Sequence, residues 1–317
     1  MSVLQSAPSN IALIKYMGKN ENSGNVPTNA SLSYTLDHLR TFVRLTKISE
    51  AADSWSKLEG PDYEPMNLSD KGQGRFLEHF KMLKKHWNVS DHYLIESANN
   101  FPADCGLASS ASSFAALTLA AAHVFAPTED LKSLSELSRR GSGSSCRSMF
   151  APWALWQKEF AEPVELPYAK LIHQVILVEN SKKDISSSQA HSLVAESSLF
   201  PGRVVRAEKR LIELTSALRA RDWRKSFEIT WSEFWDMHAL FSTSTPPFMY
   251  MTSGSMQVLE EVLRQWKQND DGPLVTMDAG ANVHLLWRED QAALASAQDK
   301  YWQERFRVIS SGSEKNS

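Results

Sequence analysis

Three loops of small residues, together with a lysine-bearing stretch near the start, carry the side chains in this 317-residue chain that could do chemistry. The first loop, Pro102–Ala103–Asp104–Cys105–Gly106–Leu107–Ala108–Ser109–Ser110–Ala111–Ser112–Ser113, opens an Ala-rich run. A helix start leaves main-chain N–H groups unpaired and carries partial positive charge, which suits a phosphate. Gly106 would let the main chain approach such a ligand, and serine hydroxyls can bind phosphate or metal. The plainer reading makes Ser109 and Ser110 helix caps. The second loop, Gly141–Ser142–Gly143–Ser144–Ser145–Cys146–Arg147–Ser148, sets hydroxyls ahead of a guanidinium able to grip a carboxylate in bidentate fashion. Its alternative is a helix end followed by a surface turn. The third, Asp278–Ala279–Gly280–Ala281–Asn282, puts an acid at the end of the apolar run Leu274–Met277, with room beside it for a ligand, although Asp-Ala-Gly also makes an ordinary turn. Lys15 and Lys19 add two ammonium groups four residues apart. Four anion-suited segments in one chain point to a substrate with several negative charges.

The elements that must hold these groups follow from periodicity. Strand-like runs cover Asn10–Ile14, Ser31–Leu36, Thr41–Thr46 and His92–Ser97, and Ser69–Trp87 reads as an amphipathic helix. The Ala/Ser/Leu run through Val124 is apolar nearly all round, which predicts a buried helix. Leu131–Arg139 reads as a helix stopped by Gly141. Prolines and Trp153 and Trp156 interrupt the pattern over Pro152–Pro167, after which Ile172–Glu179 reads as a strand. Helices are predicted over Val204–Ala220, Trp223–Leu240 and Ser255–Gln268. Leu274–Met277 and Val283–Trp287 read as paired strands around the Asp278 loop, with a last helix over Gln291–Trp302 and a last strand over Arg305–Ile309. Strands mixed with helices, without strict βαβ alternation, predict two α+β lobes meeting near residue 172.

Composition narrows the class. The net charge is −3, which argues against a general nucleic-acid binder. No apolar run reaches the roughly 18 residues of a membrane span, and the N-terminus lacks the pattern of a secretory signal. Two cysteines cannot staple a fold of this size, so a reducing cytoplasm is the expected setting. The nine histidines show no zinc-type spacing. His238 reads as a helix-packing residue, Trp231, Phe234 and Trp235 as core or interface, and Cys105 and Cys146 as having no partner for a nucleophile's role.

With these segments assembled, the chain resembles the mevalonate diphosphate decarboxylases of the GHMP kinase superfamily, from about residue 7 to residue 288. The matching stretches are APSNIALIKYMGK with NVPTNASLSYTL, then NNFPADCGLASSASSFAALTLAA, RRGSGSSCRSMF, KKDISSSQAHSLVAESSLF, MHALFSTSTPPFMYM and MDAGANVHLL. The resemblance implies a two-lobed α+β fold. Residues 1–172 would form an N-terminal lobe of the ribosomal-protein-like type with the ATP phosphate loop, and 173–317 a ferredoxin-like C-terminal lobe carrying the aspartate loop. It implies a cytoplasmic homodimer that uses ATP and Mg²⁺. Such an enzyme phosphorylates the tertiary hydroxyl of mevalonate 5-diphosphate and then releases phosphate and CO₂ to give isopentenyl diphosphate. The alternative is a related enzyme of the same fold acting on mevalonate or its 5-monophosphate.

Carried over residue by residue, the resemblance makes Asp278 the aspartate beside the tertiary hydroxyl and Lys15 the lysine near that aspartate and the transferred phosphoryl group. Arg147 would hold the substrate carboxylate, with Asn10 supporting it or the substrate. Tyr16, Lys19, Ser142, Gly143 and Ser144 match substrate contacts; Ser187 and Ser188 match substrate-loop positions, and Lys71 a basic contact. Gly106, Leu107, Ala108, Ser109 and Ser110 match the ATP phosphate loop, and no residue is assigned to the metal. The chain departs from the family pattern at Met17, Ala190, His191 and Ala281, where Trp, Gly, Met and Pro are usual.

Overall fold

A computed structural model describes residues 2–18, 24–64, 68–102, 109–178 and 184–311. The chain forms two compact units. One comprises Met1–Ile11, Asn20–Pro27 and Ser33–Val164; the other comprises Ala12–Lys19, Thr28–Leu32 and Glu165–Ser317. Both mix strands and helices, as the absence of strict alternation predicts.

A six-stranded sheet is formed by β1 (Ser2–Ile14), β2 (Ser31–Ile48), β3 (Ser54–Lys57), β4 (His92–Asn99), β5 (Trp153–Trp156) and β6 (Ala161–Pro163), all in the first unit except the end of β1 from Ala12 and the first two residues of β2. The strand order is β3-β4-β2-β5-β6, with β1 also pairing β2. The runs Ser31–Leu36 and Thr41–Thr46, predicted as separate strands, are one. From Leu39 to Thr46 buried residues (Leu39, Thr41, Val43, Leu45) alternate with half-buried ones (Arg40, Phe42, Arg44, Thr46), so the strand's two-residue period already runs before the second predicted stretch begins. Likewise β1 starts at Ser2, eight residues before the predicted Asn10. Strands β3, β5 and β6 escaped prediction because they are only 3–4 residues long, and two lie among the prolines of 152–167.

Helices α1 (Asp70–His86), α2 (Ser109–Phe125) and α3 (Leu131–Gly141) complete this unit. Ser69 caps α1 through Gly72 N–H, and Asp130 caps α3 through Lys132 and Ser133 N–H. α2 is the buried helix that its composition predicts, with Phe114, Ala115, Ala116, Leu117, Ala120 and Ala121 in the core beside Phe76, Phe80, Val43 and Ile95. Gly141 belongs to the last turn of α3, and its small size serves packing. A Cβ there would fall 2.2 Å from Phe114 Cδ1 and 2.7 Å from His79 Nδ1.

The second unit carries a four-stranded antiparallel sheet of β7 (Leu171–Leu177), β8 (Leu274–Met277), β9 (Val283–Arg288) and β10 (Arg307–Ser310), in the order β10-β7-β9-β8. β8 and β9 pair from Leu274↔Leu286 to Met277↔Val283, which leaves Asp278–Asn282 as the connection between them. Its helices are α4 (Ser187–Leu193), α5 (Arg203–Arg219), α6 (Trp223–Ser242), α7 (Ser253–Asn269) and α8 (Ala292–Gln303). α4 was not predicted. It is a single short segment started by a capping box between Ser186 and Gln189. Phe234 is fully buried and Trp231 and Trp235 pack in the same aromatic group, in line with the core reading of these residues. No helix among the described residues is long and apolar enough to cross a membrane.

Candidate active site

Lys15 follows directly on β1, and its ammonium donates to Asp278 Oδ1 at 2.8 Å. The two ends of this ion pair differ in setting. The Lys15 side chain is 2% exposed and that of Asp278 is 30% exposed, so the carboxylate keeps an open face. The Asp278 loop is held at several points. Gly280 N–H donates to Asp278 O at 2.8 Å, Ser255 Oγ to Ala281 O at 2.6 Å, and Val178 N–H to Asn282 Oδ1 at 2.9 Å. His238 Nε2 also lies 3.1 Å from Asp278 O, where only a donor fits. His238 packs among Phe234, Phe241 and Tyr250, so it is the predicted packing residue and, in addition, a grip on the aspartate's main chain.

Beyond Lys15, the Tyr16 ring lies 4.3 Å from the His191 ring, and Gly18 N–H donates to His191 Nδ1 at 3.1 Å. Gly18 has φ +101°, and a Cβ there would be 2.8 Å from Phe200, so this turn needs glycine on both counts. Met17 is buried with Ala190, Val194, Met237, Phe241, Tyr250 and Ala279; the flexible thioether fills a gap behind the aspartate loop. Ser187 and Ser188 are exposed residues of the first turn of α4.

In the first unit, Arg147 is 4% exposed, and its Nε donates to Asn10 Oδ1 at 3.3 Å while the guanidinium sits 5.5 Å from the centroid of Trp156. Asn10 Nδ2 in turn donates to Ser148 Oγ at 2.8 Å and to Ser144 O at 3.2 Å. The segment Gly143–Met149 is a 3-10 helix, not a surface turn. Ser145 is spent on it: its Oγ accepts from Ser138 Oγ at 2.6 Å and lies 2.6 Å from Ser142 O. Of the three hydroxyls expected to face an anion, Ser142 and Ser144 remain half-buried at its start. Ser142 Oγ donates to Ser110 Oγ at 3.4 Å, so the second loop abuts the start of α2. Cys146 is buried, which pushes its thiol up to about 12 and leaves it unreactive.

Lys71 is exposed on α1, four residues before Arg75, which donates to Gly141 O at 3.2 Å. Lys19 and Gly106, Leu107 and Ala108 lie outside the described residues, as does Cys105. The residues at hand fit a nucleotide triphosphate with magnesium. The first turn of α2 contains no acidic side chain to repel phosphate, and Ser109, Ser110 and Ser142 offer hydroxyls there. Among the described residues no group of three or more His, Cys, Asp or Glu is gathered for a metal.

Two residues that matter here carry no loop signature. Glu233 accepts from Lys15 N–H at 2.9 Å, and Arg203 donates to Lys15 O at 2.8 Å. Their only trace in the sequence is charge at helical spacing, with Arg203, Arg206 and Arg210 on one helix and Glu233 and Asp236 on the next.

Two α+β units, with a lysine–aspartate pair in one and a serine-rich helix start in the other, are the arrangement that the resemblance to the GHMP kinase superfamily implies. The description "Diphosphomevalonate decarboxylase-like N-terminal domain" matches residues 7–163, and "Mevalonate 5-diphosphate decarboxylase C-terminal domain" matches residues 174–310. The chain belongs to the diphosphomevalonate decarboxylase family. It is 32% identical to the diphosphomevalonate decarboxylase of Saccharomyces cerevisiae, over 89% of this chain and 76% of that one. A crystal structure of a mevalonate diphosphate decarboxylase from Legionella pneumophila superposes with a TM-score of 0.92 at 45% identity, covering 98% of this chain and all of that one. A solved complex of MDDEF with MVAPP, AMPPCP and magnesium gives a TM-score of 0.87 at 31% identity, covering 98% of this chain and 96% of that one.

Proposed function

We propose that this chain catalyses the ATP- and Mg²⁺-dependent decarboxylation of mevalonate 5-diphosphate to isopentenyl diphosphate, CO₂, ADP and phosphate. The observation that carries this reading is the Lys15–Asp278 pair, in which a buried ammonium holds one carboxylate oxygen while the carboxylate stays accessible to a ligand. The MVAPP and the ATP analogue bound by a relative of the same fold support the choice of substrates.

A tertiary alcohol is a poor nucleophile. Asp278 accepts its hydrogen bond, aims the oxygen and takes up its proton as the phosphorus–oxygen bond forms. Lys15 supplies positive charge beside the same oxygen and the arriving phosphoryl group. Bound ATP·Mg²⁺ supplies that phosphoryl group and balances the charge on its oxygens. Ser109 and Ser110, with Gly106–Ala108, bind the triphosphate at the start of α2. Arg147, oriented by Asn10 and Trp156, grips the substrate carboxylate so that its carbon–carbon bond aligns with the phosphate that leaves. The electrons of that bond then form the alkene as CO₂ departs. Tyr16, Lys19, Lys71, Ser142, Gly143, Ser144, Ser187 and Ser188 complete the substrate contacts in this assignment. The same reading carries a cytoplasmic homodimer, and sedimentation velocity distinguishes dimer from monomer.

The test is a panel of mevalonate, its 5-phosphate and its 5-diphosphate with ATP and Mg²⁺, following ADP, phosphate and CO₂ together. Equal amounts of all three products from the 5-diphosphate alone are expected. ADP without CO₂, or CO₂ from the 5-phosphate in preference, would reject the assignment.

A further inference from the structure

The main chain of Lys15 is held by side chains from elements distant in sequence. β1 ends at Ile14, so Lys15 is the first residue past the strand, and its main chain is buried where each polar group needs a protein partner. Its N–H donates to Glu233 Oε1 at 2.9 Å, and its carbonyl accepts from Arg203 Nη2 at 2.8 Å and Asn29 Nδ2 at 3.0 Å. Arg203 and Glu233 are both fully buried and are themselves ion-paired through Nη2 and Oε1, with Nη1 3.0 Å from Oε2. One guanidinium and one carboxylate therefore offer a single residue the donor and the acceptor that a neighbouring strand would have offered.

Core packing alone does not call for such a pair. Apolar replacements of buried ion pairs are commonly neutral or stabilising, because two desolvated ions barely repay their hydration. Here the desolvation is met by a wider group: Arg210 lies 3.1 Å from Glu233 and 3.0 Å from Asp236, and Arg203 and Arg206 reach Asp236 at 2.8 and 2.7 Å. Burial works against the Arg203 charge, but Glu233 and Asp236 outweigh it and raise its pKa above the ordinary value. What no apolar pair could do is hold both main-chain groups of Lys15. α6 also carries His238, five residues and about 7.5 Å further along the axis, which contacts Asp278 O. One helix thus grips the main chains of both members of the Lys15–Asp278 pair.

We propose that Arg203 and Glu233 are positioning residues for phosphoryl transfer, fixing the Lys15 main chain so that its ammonium meets Asp278 and the substrate in one geometry. This rests on the role given to Lys15 above. The test uses the full chain with Arg203→Lys and Glu233→Gln, each made in the wild-type and in a Lys15→Met background. Arg203→Lys keeps a cation against Glu233 and carries the test if Glu233→Gln does not fold. A misplacement of about 1 Å costs on the order of a hundredfold in rate, so kcat should fall tenfold to a hundredfold while KM for ATP moves less than threefold. In the Lys15→Met background, where there is no ammonium to aim, neither change should lower the residual rate further. A folded Arg203→Lys variant with kcat within threefold of wild type, or an equal loss in both backgrounds, overturns the proposal. Should the wild type release no CO₂, the functional reading fails instead, and positioning is read from the ammonium resonance of Lys15 in ¹⁵N-lysine-labelled protein. That signal should be observable in wild type and lost to exchange in Arg203→Lys; an unchanged signal overturns the positioning role.

Discussion

Removing the Asp278 carboxylate and removing the Lys15 ammonium should not cost the same stability. Asp278→Asn strands an ammonium whose side chain is 2% exposed, whereas Lys15→Met leaves a carboxylate that is 30% exposed and fills the lysine's channel with an apolar stem of similar length. An orphaned buried charge costs about 3 kcal/mol or more, and a carboxylate that still reaches water about 1 kcal/mol. For units of this size, each kcal/mol moves Tm by roughly 2–4 °C. Calorimetry at neutral pH should therefore show Asp278→Asn melting roughly 6–12 °C below wild type and Lys15→Met only roughly 2–4 °C below. Turnover, followed by coupled ADP release, should fall by about 10²–10⁴ in both, because each removes a group acting on the transferred proton or phosphoryl. A larger stability loss in Lys15→Met than in Asp278→Asn would refute the asymmetry of burial. Wild-type turnover in Asp278→Asn would remove the aspartate from the chemistry.

Arg147→Gln should raise KM for mevalonate 5-diphosphate at least tenfold while KM for ATP changes less than threefold, since the bidentate grip on a carboxylate is lost; steady-state kinetics with each substrate varied checks this, and the reverse pattern contradicts it. Gly141→Ala should destabilise by about 1–3 kcal/mol in denaturant titration, because the new methyl meets Phe114 and His79 inside the core. His79 lies 3.0 Å from Thr118 Oγ1, whose hydrogen goes to Phe114 O, and burial lowers its pKa from 6.5 to about 3. The unfolded chain therefore binds the proton first, and the stability His79 contributes above its unfolded pKa is lost as pH falls from 6.5 toward 3. Between pH 7 and pH 5 that loss is about 2 kcal/mol, to which His38, lowered to about 4 by its own burial, adds in the same direction. His79→Gln should flatten this part of the stability profile, and an unchanged slope would contradict the assignment.

Much of the candidate site was legible because its loops break strong patterns. The Asp278–Asn282 connection stands out between Leu274–Met277 and Val283–Trp287, and the strands observed there differ from the predicted ones by one residue at one end. The start of α2 is equally plain, since an Ala-rich run begins beside a Gly/Ser segment. The Gly141–Ser148 loop was legible as a cluster but not as a conformation. Nothing local reveals that Ser145 turns inward to Ser138 and Ser142 while Arg147 reaches back to Asn10, 137 positions away. The same limit applies to Lys15. Exposed lysines and buried lysines look alike in sequence, and the groups that hold this one's main chain are a guanidinium 188 positions and a carboxylate 218 positions further on. Short strands such as β6 fail for another reason: three residues ending in Pro163 carry too little periodicity to outweigh the surrounding turn residues.

A crystal structure of this chain with mevalonate 5-diphosphate, Mg²⁺ and a non-hydrolysable ATP analogue tests the central claim most directly. The account predicts the Asp278 carboxylate within about 2.6–3.2 Å of the tertiary hydroxyl, Lys15 beside the same oxygen and the γ-phosphate, and Arg147 on the substrate carboxylate. A complex in which these three side chains face different cavities, or in which another acid meets the hydroxyl, would contradict it.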